Sequence, residues 1–273
     1  MSSKILKGLV YTAAGITLLT IAFIIGYILV MGVPNLRPSL FSWTYNTDNV
    51  SLMPALINTI LMTLLSLLIA LPIGIFSAIF LVEYARRGNR FVKIIRITAE
   101  TLSGIPSIVY GLFGMLFFVT TLEWGFSILA GAFTLSIMIL PVIMRTTEEA
   151  LQAVPDSFRE GSFGLGAGKL RTVFVVILPS AVPGILSGIV LAMGRIIGET
   201  AALIYTAGTV AAIPGSDGLF SSGRTLAVHL YTLVCEGLYT KQAYATAVVL
   251  VVIVVGMNAL SSMIARKCQW KTS

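Results

Sequence analysis

Six long apolar runs divide this chain of 273 residues, at roughly 8–33, 55–83, 102–122, 126–145, 181–206 and 243–265. Nothing else in the sequence narrows the fold as much. A helical crossing of a bilayer core needs about 20 apolar residues, and a backbone in lipid must satisfy its own hydrogen bonds, so each run predicts a membrane-spanning α-helix. Charged residues make up only 11% of the chain and hydrophobic ones 57%, against roughly 25% charge in soluble domains. Six spans leave no length for a large soluble domain, so the expected fold class is an all-α integral membrane protein of six transmembrane helices.

Lys4 and Lys7 followed by apolar sequence resemble the start of a secretory signal. The run from Gly8 to Val33 is longer than a signal core of about 7 to 15 residues, and no small-residue cleavage site follows it; a retained first helix is expected. The net charge of +7 does not indicate nucleic acid, because the basic residues are spread over the short segments between apolar runs. With Lys4 and Lys7 in the cytoplasm, that face also collects Arg86, Arg87, Arg90, Lys93, Arg96, Arg145, Arg159, Lys169, Arg171, Arg266, Lys267 and Lys271. The other face receives Arg37, Arg224 and Lys241. Fourteen against three is a strong positive-inside bias, which predicts both termini cytoplasmic and supports the count of six, since one helix more or fewer in the middle would destroy it. Cys235 and Cys268 fall on opposite faces in this topology and cannot form a disulfide framework.

Arg195 and Glu199 lie within the fifth apolar run. Ionisable side chains near the bilayer centre cost about 2.5 to 3.5 kcal/mol each on insertion scales. Arg195 is about 18 Å along a helix from Pro183, and Glu199 follows at i+4, where the two are expected to share a face and pair. A planar guanidinium suits an oxyanion. A buried pair that only locks two helices is the competing reading, and a role in a transport pathway is favoured by the cost of placing both charges here. Arg145 closes the fourth run, where an arginine commonly snorkels to headgroups.

Between the fourth and fifth runs lies the polar stretch Thr146 to Pro179. Pro155 and Asp156 mark a helix start, and Gly164, Gly166 and Gly168 its end, predicting a short helix over 156–164 from which Phe158 and Phe163 project. Docking into a groove on a partner and folding back onto the bundle both remain open for it. Gly166-Ala167-Gly168-Lys169 is not a phosphate-binding loop, since Phe163 and Leu170 stand where that motif needs Gly and Ser or Thr.

This stretch resembles the signature loop of binding-protein-dependent ABC importer permeases, the MetI-like family. Glu160-Gly161-Ser162 occupies the position of its Glu-Ala-Ala, Gly166 that of its glycine, and Val176-Ile177-Leu178-Pro179 that of its closing element. The resemblance implies a coupling helix seated in a cleft of an ATPase subunit, with Phe158, Glu160, Gly161, Phe163 and Gly166 in that mechanical contact. Gly198-Glu199-Thr200-Ala201-Ala202 with Arg195 upstream is similar to the permease subunits of the phosphate-specific importer. Ala201 to Gly208 is more like the PstA-type subunit than its PstC-type partner, and Ser103 to Gly114 and Arg145 to Glu149 match both. It implies Arg195, Glu199 and Arg145 on a phosphate path and a homologous PstC-like second permease. The other implied partners are a PstB-like ATPase dimer using ATP and Mg and a PstS-like extracytoplasmic binding protein.

The chain is thus divided into a first helix and outer loop (1–50), a permease domain (51–265) with its coupling loop (146–179), and a tail (266–273) in the inner membrane of a bacterium or archaeon. No catalytic residue, metal site or cofactor of its own is expected. The basic cluster Arg86 to Arg96 is expected on anionic lipid. The outer segment Thr209 to Ala243 is expected to form a turn and a short interfacial helix, either a cap on the pore or a landing site for the binding protein. His229 has no neighbouring ligand set. Rival readings are a permease for sulfate or molybdate, an ion-coupled secondary transporter, which predicts internal repeats that are not seen, and a membrane enzyme, for which no nucleophile, base or metal cluster is found.

Overall fold

A computed structural model describes residues 2–86, 88–215 and 217–270. Arg87 and Lys271, two of the fourteen residues assigned to one face, fall outside these, as do the side chains of Arg266, Lys267 and Cys268. In chain order come α1 (Ser2–Gly32), α2 (Met53–Ile79), α3 (Arg90–Ser103), α4 (Ser107–Gly114), α5 (Ile128–Gln152), α6 (Asp156–Gly164) and α7 (Lys169–Arg171). After these follow α8 (Leu178–Ile197), α9 (Ala201–Thr206), α10 (Leu226–Glu236) and α11 (Thr240–Trp270). Wider π-helical turns prolong α2 over Phe80–Tyr84 and α4 over Met115–Thr121, and one at Thr172–Ile177 joins α7 to α8 into a single rod. That joining turn precedes Pro179, whose missing N–H and ring disturb the preceding turn of an ordinary α-helix.

Five helices are long and apolar enough to cross a membrane, and the sixth span requires α3 and α4 to be taken together. The third run, expected as one helix over 102–122, is instead bent by 98° at Gly104-Ile105-Pro106. Pro106 has no N–H to donate and pushes Ile105 away from helical angles. Beyond the bend the apolar helix runs over Ser107–Thr121, while α3 before it is amphipathic, with Val92 buried and Phe91, Ile94 and Ile97 exposed.

The centre of the bundle is α5, whose Leu135, Met138, Ile139 and Ile143 are fully buried. Between helices in lipid the hydrophobic drive is weak, so contact depends on small residues and interhelical hydrogen bonds. Both are present. Ser66 Oγ of α2 donates to the Ala132 carbonyl (3.1 Å), and Ser136 Oγ of α5 donates back to the Ser66 carbonyl (3.2 Å). Gly184 and Gly188 bring α8 onto α5, and a Cβ on Gly184 would lie 2.7 Å from that of Ala150. The first helix stands aside, meeting α11 where the Tyr27 and Tyr244 rings pack edge-on at 5.9 Å.

The segment after α9 ends in the expected short helix, α10. Its Leu226, Ala227, Val228, His229 and Leu233 are buried against the protein, chiefly α2 and α11, while Tyr231 and Val234 are exposed.

Candidate functional site

The fifth span ends before its apolar run does. The rod from Lys169 stops at Ile197, and Gly198, Glu199 and Thr200 separate it from α9. The expected i+4 pair on one helix face is therefore not formed. Glu199 instead caps the next helix, accepting the Ala202 N–H on Oε1 at 3.1 Å, while its own N–H donates to the Ile196 carbonyl at 3.1 Å. A side-chain acceptor at a helix start satisfies an otherwise free N–H. It accounts for a buried carboxylate in this place without an ion pair.

Arg195 sits in the last turn of α8, where the dipole favours a cation. It is half-buried and forms no ion pair among the described residues. Buried Tyr110 of α4 donates its hydroxyl to the Leu102 carbonyl at 2.7 Å. The glycines of the Ser103 to Gly114 motif bring α4 to the break: a Cβ on Gly111 would lie 2.7 Å from Ala202 Cα, and one on Gly114 would strike Thr134 and Thr206. The break is thus gripped by α4 on one side and closed by Glu199 on the other. What remains is a cation at a helix end with its guanidinium unclaimed by any carboxylate of the described residues.

Arg145 lies elsewhere. It is exposed on α5, with Nε donating to Glu149 Oε1 at 3.0 Å and Nη1 4.0 Å from Glu100 Oε1 of α3. These groups line a cleft of ≈ 500 Å³ with Arg96, Glu148 and Leu191; Arg195 is not among its lining residues. Arg96 pairs with Glu148, whose Oε1 also accepts from Gln152 at 3.0 Å. The cleft of Arg145 reaches Leu191, one helical turn before Arg195 on α8.

The short helix α6 covers Asp156–Gly164, the range that Pro155 and the three glycines predict. Its flanking loop is much less open than the polar stretch suggests: only 153–155 and 165–168 are non-helical. Phe158, Glu160, Gly161 and Phe163 are exposed on it. Gly166 follows in the left-handed conformation at φ +82°. Its N–H donates to the Phe163 carbonyl (2.9 Å) and that of Ala167 to the Ser162 carbonyl (3.1 Å), the double closure of a Schellman motif.

Three residues escaped the sequence reading. Leu165 is 91% exposed beside the phenylalanines; its place just before a left-handed glycine was the available signal. Arg159, counted only as a topological charge, donates to Glu83, to the Leu151 and Val154 carbonyls and to Asp156. It forms one wall of a ≈ 680 Å³ cavity between α6 and the end of α2, which Arg86, Phe163 and Lys169 also line. Tyr110, buried in α4, lay inside the Ser103 to Gly114 motif but carried no charge to draw notice.

Residues 70–268 match the family model described as binding-protein-dependent transport system inner membrane component. A probable ABC transporter permease protein, YqgI of Bacillus subtilis, is 34% identical over 87% of this chain and 85% of its own length. The phosphate transport system permease protein PstA of Haemophilus influenzae is 35% identical over 75% of this chain and 73% of its own. Among solved structures, a bacterial ABC transporter involved in import of the acidic polysaccharide alginate superposes with a TM-score of 0.68 at 16% identity, covering 95% of both chains. The MetNI methionine ABC transporter in an inward-facing form gives 0.59 at 20% identity, covering 89% of this chain and 96% of that one. At these identities the structural likeness concerns the fold alone.

Proposed function

The chain belongs to the family of binding-protein-dependent transport system inner membrane components, and on that premise we propose that it is a permease subunit of an ATP-driven importer that carries inorganic phosphate into the cytoplasm. A permease of this family is a multi-pass membrane protein that works with an ATPase and a binding protein. The observation that carries the phosphate reading is the extended likeness to phosphate transport permeases, about three quarters of this chain in the Haemophilus influenzae case.

In this reading Arg195 meets the anion in transit. Its position at a break within an apolar rod, with no carboxylate claiming it among the described residues, supports that role, because backbone ends and charges at membrane depth are tolerated where they line a pathway. Glu199 fixes the break. Arg145, in its own cleft with Glu100 and Glu149, acts at the inner mouth. Phe158, Glu160, Gly161, Phe163, Leu165 and Gly166 form the face that docks on a PstB-like ATPase, which uses ATP and Mg. A PstC-like permease completes the path and a PstS-like binding protein delivers phosphate. The termini are cytoplasmic, in a bacterial or archaeal inner membrane, and α3 with the loop before it rests on anionic lipid through Arg86, Arg90 and Lys93.

Transport proceeds by alternating access, with ATP-driven motion entering through α6. Tight binding belongs to the delivering protein, since a permease that held phosphate firmly would stall its release. Radiolabelled phosphate uptake at low phosphate, with and without this chain, tests the proposal, with sulfate and ATP-depleted cells as parallel arms. Loss of ATP-dependent phosphate uptake alone is expected. Loss of sulfate uptake in its place overturns the substrate, and indifference to ATP depletion overturns the coupling.

A further inference from the structure

At the end of α2 far from α6 lies a second polar cluster, deeply buried. Arg224 is 5% exposed and His229 0%. Their backbone is pinned: the Arg224 N–H donates to the Val210 carbonyl (3.0 Å), the Leu226 N–H to Thr59 Oγ1 (2.8 Å), and Asn58 Nδ2 to the Ala212 and Arg224 carbonyls (2.9 and 3.3 Å). The Arg224 Nη1 donates to Thr232 Oγ1 at 3.1 Å. The Tyr45 ring lies over the guanidinium at 4.8 Å and meets His229 edge-on at 6.2 Å.

The rest of the cluster is unpartnered. Arg224 Nε and Nη2, both ring nitrogens of His229 and Asn58 Oδ1 are buried without a hydrogen-bond partner. No carboxylate lies within ion-pair distance of Arg224 among the described residues. Arginine stays charged when buried, and an uncompensated buried cation is strongly unfavourable. The cation–π contact with Tyr45 offsets part of this. A water molecule satisfies a donor but brings no charge, whereas an anion does both. The two free donors, Nε and Nη2, share one edge of the guanidinium, the fork that grips two oxygens of an oxyanion side by side.

We propose that Arg224 Nε and Nη2, with His229 as a further donor, form a buried site for a small inorganic anion, phosphate or chloride. The bound anion fastens the 207–225 segment and α10 to α2. This site is structural and lies apart from the break at Arg195, and it holds whichever ion the chain transports.

The test uses the full chain in lipid nanodiscs in potassium gluconate, whose bulky organic anion replaces chloride and phosphate. Chloride and phosphate are titrated separately at constant ionic strength while the thermal unfolding midpoint is followed. A saturable rise is expected with at least one ion, the one acting at lower concentration being the natural occupant. Arg224→Lys keeps the charge but loses the fork, and its apparent affinity is expected to fall about tenfold or more; the exposed Arg37→Gln leaves the response unchanged. Absence of any midpoint shift with both ions in the wild type, or a shift that Arg224→Lys preserves in full, overturns the site. If Arg224→Lys does not fold, high-resolution maps of the wild-type chain in bromide and in phosphate decide: anion density at Nε and Nη2 is expected in at least one of them, and density for water alone in both overturns the proposal.

Discussion

Arg159 of α6 reaches back 76 residues to Glu83, its Nη2 standing 2.6 Å from Oε1 at the π-helical end of α2. Both side chains are largely buried, and the remaining guanidinium N–H groups hold the carbonyls of Leu151 and Val154 near the end of α5. One residue of the short helix is therefore fixed to two spans. Force applied to α6 has a stiff route into α2 and α5, which hold the core together.

Arg159→Met leaves Glu83 buried and unpaired, and breaking such a pair costs about 3–5 kcal/mol. The thermal midpoint is expected to fall, and phosphate uptake per ATP hydrolysed to fall with it. Pairing Arg159→Met with Glu83→Gln removes the stranded charge and is expected to restore stability but not the uptake ratio. Restoration of both would show that the pair only stabilises and carries no motion.

Gly166 offers a cleaner separation of shape from space. A Cβ built there meets nothing within 4 Å, yet φ is +82°, and the left-handed conformation costs an L-residue about 1–2 kcal/mol, least for Asn or Asp. If conformation is what matters, Gly166→Asn supports more uptake than the smaller Gly166→Ala. If room at a docked ATPase is what matters, the order reverses. Uptake by the two variants at equal expression, with limited proteolysis of the α6 region as a check on its folding, distinguishes them.

The long apolar runs made the spans legible, and Pro155 with Gly164 and Gly166 marked the bounds of α6, because caps and left-handed glycines act within a few residues. Gly104 and Pro106 are ordinary signals for a kink in the third run but not for its size of 98°, and the break at Gly198-Glu199-Thr200 was not legible. Apolar sequence flanks both, and contacts from afar, such as Gly111 against Ala202, help to fix them. The same limit hid Arg159. A charge in a polar loop reads as solvated until the fold brings Glu83 beside it.

Glu199 and Arg195 are expected to respond differently to substitution. Glu199→Gln keeps a side-chain oxygen for the Ala202 N–H and is expected to assemble normally, whereas Glu199→Ala loses the cap, at about 1 kcal/mol. Arg195 has no ion-pair partner among the described residues, so Arg195→Ala is expected to assemble at wild-type levels while phosphate uptake falls severely. Normal uptake by Arg195→Ala at native expression would remove it from the pathway. Equal behaviour of Glu199→Gln and Glu199→Ala in assembly would remove the capping role.

The buried imidazole of His229 gives the chain a dependence on pH of known sign. Burial first, and then the Arg224 charge, holds its pKa down from 6.5 to about 3. Between these values the unfolded chain binds a proton that the folded chain refuses, so stability is fully present above pH 6.5 and falls as pH drops toward 3. One pKa unit corresponds to about 1.4 kcal/mol, so roughly 2 kcal/mol is lost by pH 5. In gluconate buffer, where neither chloride nor phosphate offsets the charge, the wild-type thermal midpoint is expected to fall between pH 7.5 and 5 by more than that of His229→Gln. The carboxylates common to both proteins cancel in that difference, and equal slopes would mean that the imidazole is not held neutral.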